Sequence, residues 1–410
     1  MADGKNLKVA VLFHRLGPYH FARLRAAGEL LDIVAIESSG VDETYAWDVV
    51  AGADGFERVT LFNGADAQKL PVPEVTSRVG SALDNIRPAV VVVPGWAGSA
   101  ALGALRWCVQ NQIPAIVMSE STAWDEPRKP WKEFIKRQIV GLGSAALAGG
   151  TSHKDYLVQL GMPSERVFLG YDAVDNDYFA QGATEVRRQK DEASRKYGLP
   201  ENFFLASARF VEKKNLPRLL GAYSRYRELA AKSEIGNRKS EIWDLVLLGD
   251  GPLRSTLNSQ LSTLNLHAHV QMPGFKQYDE LPAYYGLAKA FIHASTTEQW
   301  GLVVNEAMAS GLPVLVSNRC GCATDLVQEG VNGFTFNPYD VEQLAQLMLR
   351  ISDFRFPISD FGNASREIIS KWGPERFAAG LKQAVEYALR AGLVKPTFLQ
   401  RMILKAMLAK

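Results

Sequence analysis

Short runs of about four to seven apolar residues recur along the chain, each followed by a polar turn and then by a longer stretch whose apolar positions return every three or four residues. The first pattern fits strands buried on both faces of a parallel sheet, and the second fits the helices that cover such a sheet. In the first half, strands are expected at 7–13, 31–37, 89–93, 114–118, 145–148 and 167–169. Helices are expected from about Tyr19, over 100–110, and through SHKDYLVQLG, where His153 reads as a cap or core residue rather than a base. Between 177 and 200 the pattern lapses into polar and charged residues, including RRQKDEASRKYG, which reads as a domain boundary. The alternation then restarts, with strands at 203–207, 243–248 and from Val270, and helices over 216–230, 253–264 and 280–287. Two α/β halves with parallel sheets and a cleft between them follow from this rhythm.

The stretch 291–316, FIHASTTEQWGLVVNEAMASGLPVLV, carries the densest chemistry. Glu298 falls in the loop after a strand, where open α/β sheets place their ligand groups. Glu306 is expected early in the following helix, where the helix field favours a carboxylate. In SARFVEKKN, Arg209 follows a strand directly, and Lys213 and Lys214 come just before a helix. Cations at such a junction suit a diphosphate, with arginine supplying a fork and lysine a mobile charge. Each feature has a plain reading as solvated surface, and GDG at 249–251 is weak as an isolated triplet. Their order along the chain makes the ligand reading the stronger one. Gly17, after the first strand, is expected to allow a tight turn beside His14 and His20.

Length and composition narrow the class. At 410 residues the chain exceeds what one core usually supports, so two domains are expected. A net charge of +2 gives no footprint for nucleic acid. Cys108, Cys320 and Cys322 make neither a disulfide framework nor a metal-ligand set. No signal-like leader and no apolar run long enough to span a bilayer is present, which points to the cytoplasm. KPWKEFIKRQIV, 129–140, places Lys129, Lys132, Lys136 and Arg137 among Trp131, Phe134, Ile135 and Ile139. It reads either as a helix packed on its domain or as one resting on the inner face of an anionic membrane. The tail PTFLQRMILKAMLAK leaves the same two readings open.

Taken together, these motifs resemble the retaining glycosyltransferases of family 4, which have the GT-B fold. The resemblance is strong over 203–337 and weaker across the first domain. Its E-x7-E element matches Glu298 and Glu306, its arginine–lysine pair matches Arg209 and Lys214, and its glycine and base-binding positions match Gly249, Gly251 and Phe275. The resemblance implies two Rossmann-like domains, 1–178 and 200–370, with a helix at about 372–390 crossing back to the first. It implies a UDP- or GDP-sugar donor, no dedicated metal or other cofactor, and a hydroxyl acceptor such as a lipid-linked or cell-surface glycan precursor. Arg209 and Lys214 would then neutralise the diphosphate, Glu306 would hold the ribose hydroxyls, and Glu298 would face the donor sugar. Backbone amides at Gly301, Leu302 and Val303 would help hold phosphate and sugar.

This chain departs from the family pattern at three places, one of them RCGCATDLV, where relatives often have two glycines and a Pro-Glu pair. Glu120, in SESTAWD, stands where many members have a histidine, so it and Asp125 are candidates for substrate contact. The glycine-rich turn after the first strand is reduced to Gly17. An epimerase of the same fold acting on nucleotide sugars, or a non-catalytic protein binding them, would share the diphosphate site. Transfer alone requires a second substrate.

Overall fold

The computed structural model describes residues 7–40, 52, 54–232, 234–235, 238–239 and 242–409. The first six residues and Lys410, which the sequence reading includes in the first domain and the tail, lie outside the described residues. The chain divides into two compact units, Met1–Asp175 with Trp372–Lys410, and Asn176–Lys371.

The first unit runs β1 (Lys8–Phe13), α1 (Pro18–Gly28), β2 (Asp32–Ser39), β3 (Glu57–Phe62), α2 (Val72–Ile86), β4 (Val90–Pro94) and α3 (Ser99–Asn111). It continues with β5 (Ala115–Ser119), α4 (Pro130–Val140), β6 (Ala145–Ala148), α5 (Thr151–Gln159) and β7 (Val167–Leu169). All seven strands pair in parallel, in the order β3-β2-β1-β4-β5-β6-β7. Alternate residues of β1 feed opposite faces: Ala10 and Leu12 enter one core, Val9, Val11 and Phe13 the other. β3 and α2 have no counterpart in the sequence reading. β3 is a half-exposed edge strand in which only Leu61 is buried, so it lacks the apolar run that marks the central strands.

The second unit begins with α6 (Asn176–Arg188) and α7 (Lys190–Tyr197), the stretch that reads as a linker. Then follow β8 (Phe203–Ser207), α8 (Leu216–Lys232), a hairpin of β9 (Glu234–Ile235) and β10 (Arg238–Lys239), β11 (Asp244–Leu248), α9 (Arg254–Thr263) and β12 (Val270–Gly274). Next are α10 (Leu281–Leu287), β13 (Ala290–His293), α11 (Leu302–Ala309), β14 (Val314–Ser317), α12 (Ala323–Leu326), β15 (Gly333–Phe336), α13 (Val341–Ser352) and α14 (Ile358–Ile369). Six parallel strands form a sheet in the order β12-β11-β8-β13-β14-β15. Its order reverses between β8 and β13, which makes their loops the switch point where such sheets bind ligands. The polar 177–200 stretch is helical because a few residues suffice to dock it. Phe179 meets the Tyr285 ring at 5.8 Å, and Gly182 lies so close to Pro282 that a Cβ there would come within 2.6 Å.

The chain then returns to the first unit through α15 (Pro374–Ala391) and α16 (Phe398–Met407). α15 buries Phe377, Leu381, Ala384, Val385 and Ala388 in the core shared with Val9, Val11 and Phe13. Its larger side chains each stabilise that contact by about 2 kcal/mol. Gly380 permits the approach, since a Cβ there would lie 2.2 Å from the Leu169 carbonyl oxygen. Among the described residues no helix is long and apolar enough to cross a membrane.

Candidate active site

The loops leaving β8 and β13 are laced together before any ligand arrives. After β8 the chain turns through Glu212–Lys214 to Asn215, whose φ is +59° and whose Nδ2 donates to Ala294 O at 3.0 Å and Pro338 O at 2.7 Å. Thr296 N donates to Lys213 O at 2.9 Å. This holds the Lys214 ammonium against Glu298 Oε2. The same oxygen lies 3.2 Å from His293 Nε2 and 3.4 Å from Ser295 Oγ. Three donor groups thus converge on Oε2, and Oε1 has no bonded partner among the described residues. The backbone of Glu298 is pinned as well: its N–H donates to Arg319 O at 3.2 Å, and its carbonyl accepts from Gly321 N at 3.1 Å.

Charge follows from this packing. Burial acts to raise the Glu298 carboxyl, but the Lys214 ammonium and the bond to His293 outweigh it and hold the group well below the usual carboxylate range. Burial lowers His293, and the nearby Glu298 only partly offsets it, so the imidazole is neutral and donates through Nε2. Cys320 and Cys322 are buried beside this network, and burial pushes both thiols up and away from reactivity.

α11 starts at Gly301, whose φ of +108° suits glycine and whose missing side chain leaves room beside Glu298 Cγ, 3.5 Å from where a Cβ would sit. Leu302 and Val303 supply first-turn N–H groups without intrahelical partners. Glu306 lies in the second turn of α11, not early as expected, so the helix field gives it little support. It is 1% exposed instead and faces the buried Tyr285, whose phenol is raised by burial and by the Glu306 charge. Trp300 Nε1 donates to Asn305 Oδ1 at 2.9 Å and fixes the loop onto the helix.

The GDG turn follows β11 and lies against the β8 loop. A Cβ on Gly249 would come within 2.0 Å of Ala208 O, and one on Gly251 within 2.8 Å of Phe210 O. Gly249 N also donates to Gly274 O at 3.0 Å, next to Phe275, which is 40% exposed after β12. Because all strands of this sheet run parallel, Arg209, Lys214, Gly249, Gly251, Phe275, Glu298 and the start of α11 share its C-terminal edge.

Gly17 and Glu120 belong to the first unit. Gly17 has φ −117° and ψ −179°, an extended conformation open to any residue, and nothing closer than 3.9 Å would meet a Cβ there. The turn it was expected to permit is held by other groups. Leu16 N donates to Glu37 Oε1 at 2.7 Å, and Glu37 Oε2 accepts from Arg58 Nη2 at 2.8 Å and Thr60 Oγ1 at 2.9 Å. His20 accepts from Gly17 N at 3.1 Å, and burial followed by the Arg23 charge lowers it to about 3. His14 sits 3.5 Å from Asp66. Asp125 closes a local turn by accepting from Thr122 N at 3.1 Å and pairing with Arg128.

Glu120 is half-buried after β5, near Tyr171 and Asp172 after β7. Asp172 is 1% exposed, and neither of its carboxyl oxygens is hydrogen-bonded. Burial, then the Glu120 charge, push it well above the usual range. His153 caps α5 by accepting from Gly150 N at 3.1 Å. His293, Glu37 and Asp172 escaped the sequence reading. The available signal for His293 was a histidine closing a buried strand five residues before Glu298.

Residues 188–367 match the family described as "Glycosyl transferases group 1". A sulfoquinovosyl transferase of Arabidopsis thaliana is 36% identical over 131 residues, which are 31% of this chain and 25% of that relative's length. The sucrose-phosphate synthase structure from Thermosynechococcus elongatus superposes with a TM-score of 0.73 at 16% identity, covering 94% of this chain and 100% of the other. The Anabaena HepE structure in complex with UDP-glucose gives 0.67 at 16% identity, covering 93% and 99%. The fold is of the GT-B class, two α/β units each built on a parallel sheet.

Proposed function

We propose that this protein is a retaining glycosyltransferase that moves a sugar from a UDP- or GDP-sugar to a hydroxyl acceptor. The observation carrying the reading is the convergence of Lys214, His293 and Ser295 on one oxygen of Glu298, at the switch point of a parallel sheet. The match of residues 188–367 supports the reaction class, and the likeness to a structure holding UDP-glucose supports the donor class.

On this reading Arg209, Lys214 and the first-turn amides of α11 hold the diphosphate. They gain strength as negative charge grows on it during cleavage of the glycosidic bond, which is what lowers the barrier. Glu298, kept ionised by Lys214, offers Oε1 to the donor sugar. Glu306 accepts from the ribose hydroxyls, and Phe275 borders the base. The departing phosphate takes the proton of the attacking acceptor hydroxyl, and the new bond forms on the face the phosphate leaves. Glu120 is assigned to acceptor contact in the first unit. The acceptor is a lipid-linked or cell-surface glycan precursor, and the reaction takes place in the cytoplasm.

Calorimetric titration with UDP, GDP and ADP, without added metal, tests this. Binding of one nucleotide, weakened in Arg209→Ala and Lys214→Ala, is the expected result. No binding by any of the three, or binding indifferent to both substitutions, overturns it.

A further inference from the structure

α4 does not distribute its residues as its sequence suggests. Ile135, Ile139 and Val140 enter the first unit's core, whereas Trp131 and Phe134 are 59% and 49% exposed on the opposite side. Lys136, expected on a basic outer face, turns inward to Glu126 at 2.6 Å and Glu133 at 3.2 Å. Lys129, Lys132 and Arg137 stay at or near the surface.

α16 repeats the arrangement. Thr397 caps it, accepting from Gln400 N at 3.2 Å and donating its own N–H to Gln400 Oε1 at 2.9 Å. Leu404 and Leu408 anchor it in the same core that receives α4. Phe398, Leu399 and Met402 remain 80%, 46% and 50% exposed, with Arg401 and Lys405 exposed among them. The two helices pack side by side, and a Cβ on Gly141, at the end of α4, would lie 2.8 Å from the Gln400 side-chain nitrogen.

Five of the thirteen large apolar residues exposed among the described residues therefore lie on these two helices. Core packing accounts for none of the five, since each helix already buries another face. Around α16 the charge has one sign: residues 392–410 contain Lys395, Arg401, Lys405 and Lys410 and no acidic residue; on α4 the acidic Glu133 is taken up by Lys136. A protein interface gathers apolar residues at its centre and polar ones at its rim. Here the cations are interspersed among the apolar side chains, the pattern that meets hydrocarbon and phosphate at one depth. An exposed tryptophan flanked by lysines suits the same boundary.

We propose that the outer faces of α4 and α16 together form a docking surface for an anionic lipid bilayer. Trp131, Phe134, Phe398, Leu399 and Met402 enter the headgroup–acyl boundary. Lys129, Lys132, Arg137, Arg401 and Lys405 lie against the headgroup phosphates. The surface belongs wholly to the first unit and uses no residue of the donor site, so it stands or falls apart from the donor chemistry.

Flotation of the full chain with phosphatidylglycerol-containing vesicles and with pure phosphatidylcholine vesicles, at low and high salt, tests the proposal. Binding to the anionic vesicles that high salt weakens is expected. Trp131→Ser with Phe134→Ser, and separately Phe398→Ser with Met402→Ser, should each lower partitioning at least about tenfold. Arg401→Gln with Lys405→Gln should do so at low salt only. Thermal melts matching the parent chain establish that these exposed substitutions leave the fold intact. Absence of binding at low salt, or binding unchanged in both apolar double variants, overturns the proposal. So does concentration-dependent self-association without lipid that the same variants abolish, which would assign the surface to a second copy.

Discussion

His293 Nε2 lies 3.2 Å from Glu298 Oε2, the oxygen that also receives Lys214. The imidazole is neutral, so it orients the carboxylate without neutralising it. His293→Phe keeps a ring in the strand and removes the donor. Turnover is expected to fall about tenfold with little change in donor KM, the signature of an interaction that acts through geometry at the reacting centre. Steady-state kinetics on this variant and on His293→Gln, which restores a donor, checks it. Equal losses in both would remove the positioning role.

Glu298 couples the site to acid stability. Its folded value is depressed below the ordinary 4.5, so its contribution is complete above that pH and drains away as the pH falls through the folded value. Glu298→Gln should flatten the acid side of a plot of Tm against pH. The same change should lower turnover about 100-fold, because the ionised group proposed to face the sugar is gone.

Lys214→Met leaves the Glu298 charge buried beside a neutral imidazole. Removing one partner of such a pair costs about 3 kcal/mol. Denaturant melts should show that loss, and adding Glu298→Gln should recover most of it. Nucleotide affinity should stay low in both variants, since neither has the cation. Calorimetry beside the melts separates the two effects.

Asp172 works in the opposite pH direction. Its folded value is raised above the ordinary 3.8, so the stability it contributes is present below that pH and is lost as the pH rises through the folded value. At neutral pH it burdens the first unit. Asp172→Asn should raise Tm at pH 7 to 8, and the gain should vanish below about pH 4. Paired melts of the two proteins over that range read it directly.

Gly249→Ala places a Cβ 2.0 Å from a backbone oxygen at a φ of +125°. The loop must shift, at a cost of about 2 kcal/mol or more, and with it the turn that borders the β8 loop. Urea titration should show a lower midpoint and unchanged slope.

What the sequence made legible was decided by how local the signal is. The strands ending at Ser207 and His293 were plain from their apolar runs, and Glu298 from its place after one of them. The Lys214–Glu298 pair was not, because 84 residues separate its members and only the adjacency of β8 and β13 joins them. His293 was hidden because its strand is otherwise apolar, so the residue reads as core. The 177–200 stretch read as a linker because α7 buries none of its own residues, and Phe179 and Ala183 are the buried positions of α6. Lys136 read as surface because nothing in the sequence shows that it pairs with both Glu126 and Glu133.

The return of α15 to the first unit sets an order of assembly during synthesis. Residues 176–371 form an insertion, so the ribosome delivers α15 some two hundred residues after β7. At ordinary elongation rates that interval is roughly 10–40 s. For its duration Val9, Val11 and Phe13 lack the part of their cover that α15 supplies, while the second unit, contiguous in sequence, has everything it needs to close. The unit that starts first therefore finishes last. A nascent chain arrested before Pro374 should hold a protease-resistant second unit beside a first unit that depends on chaperones.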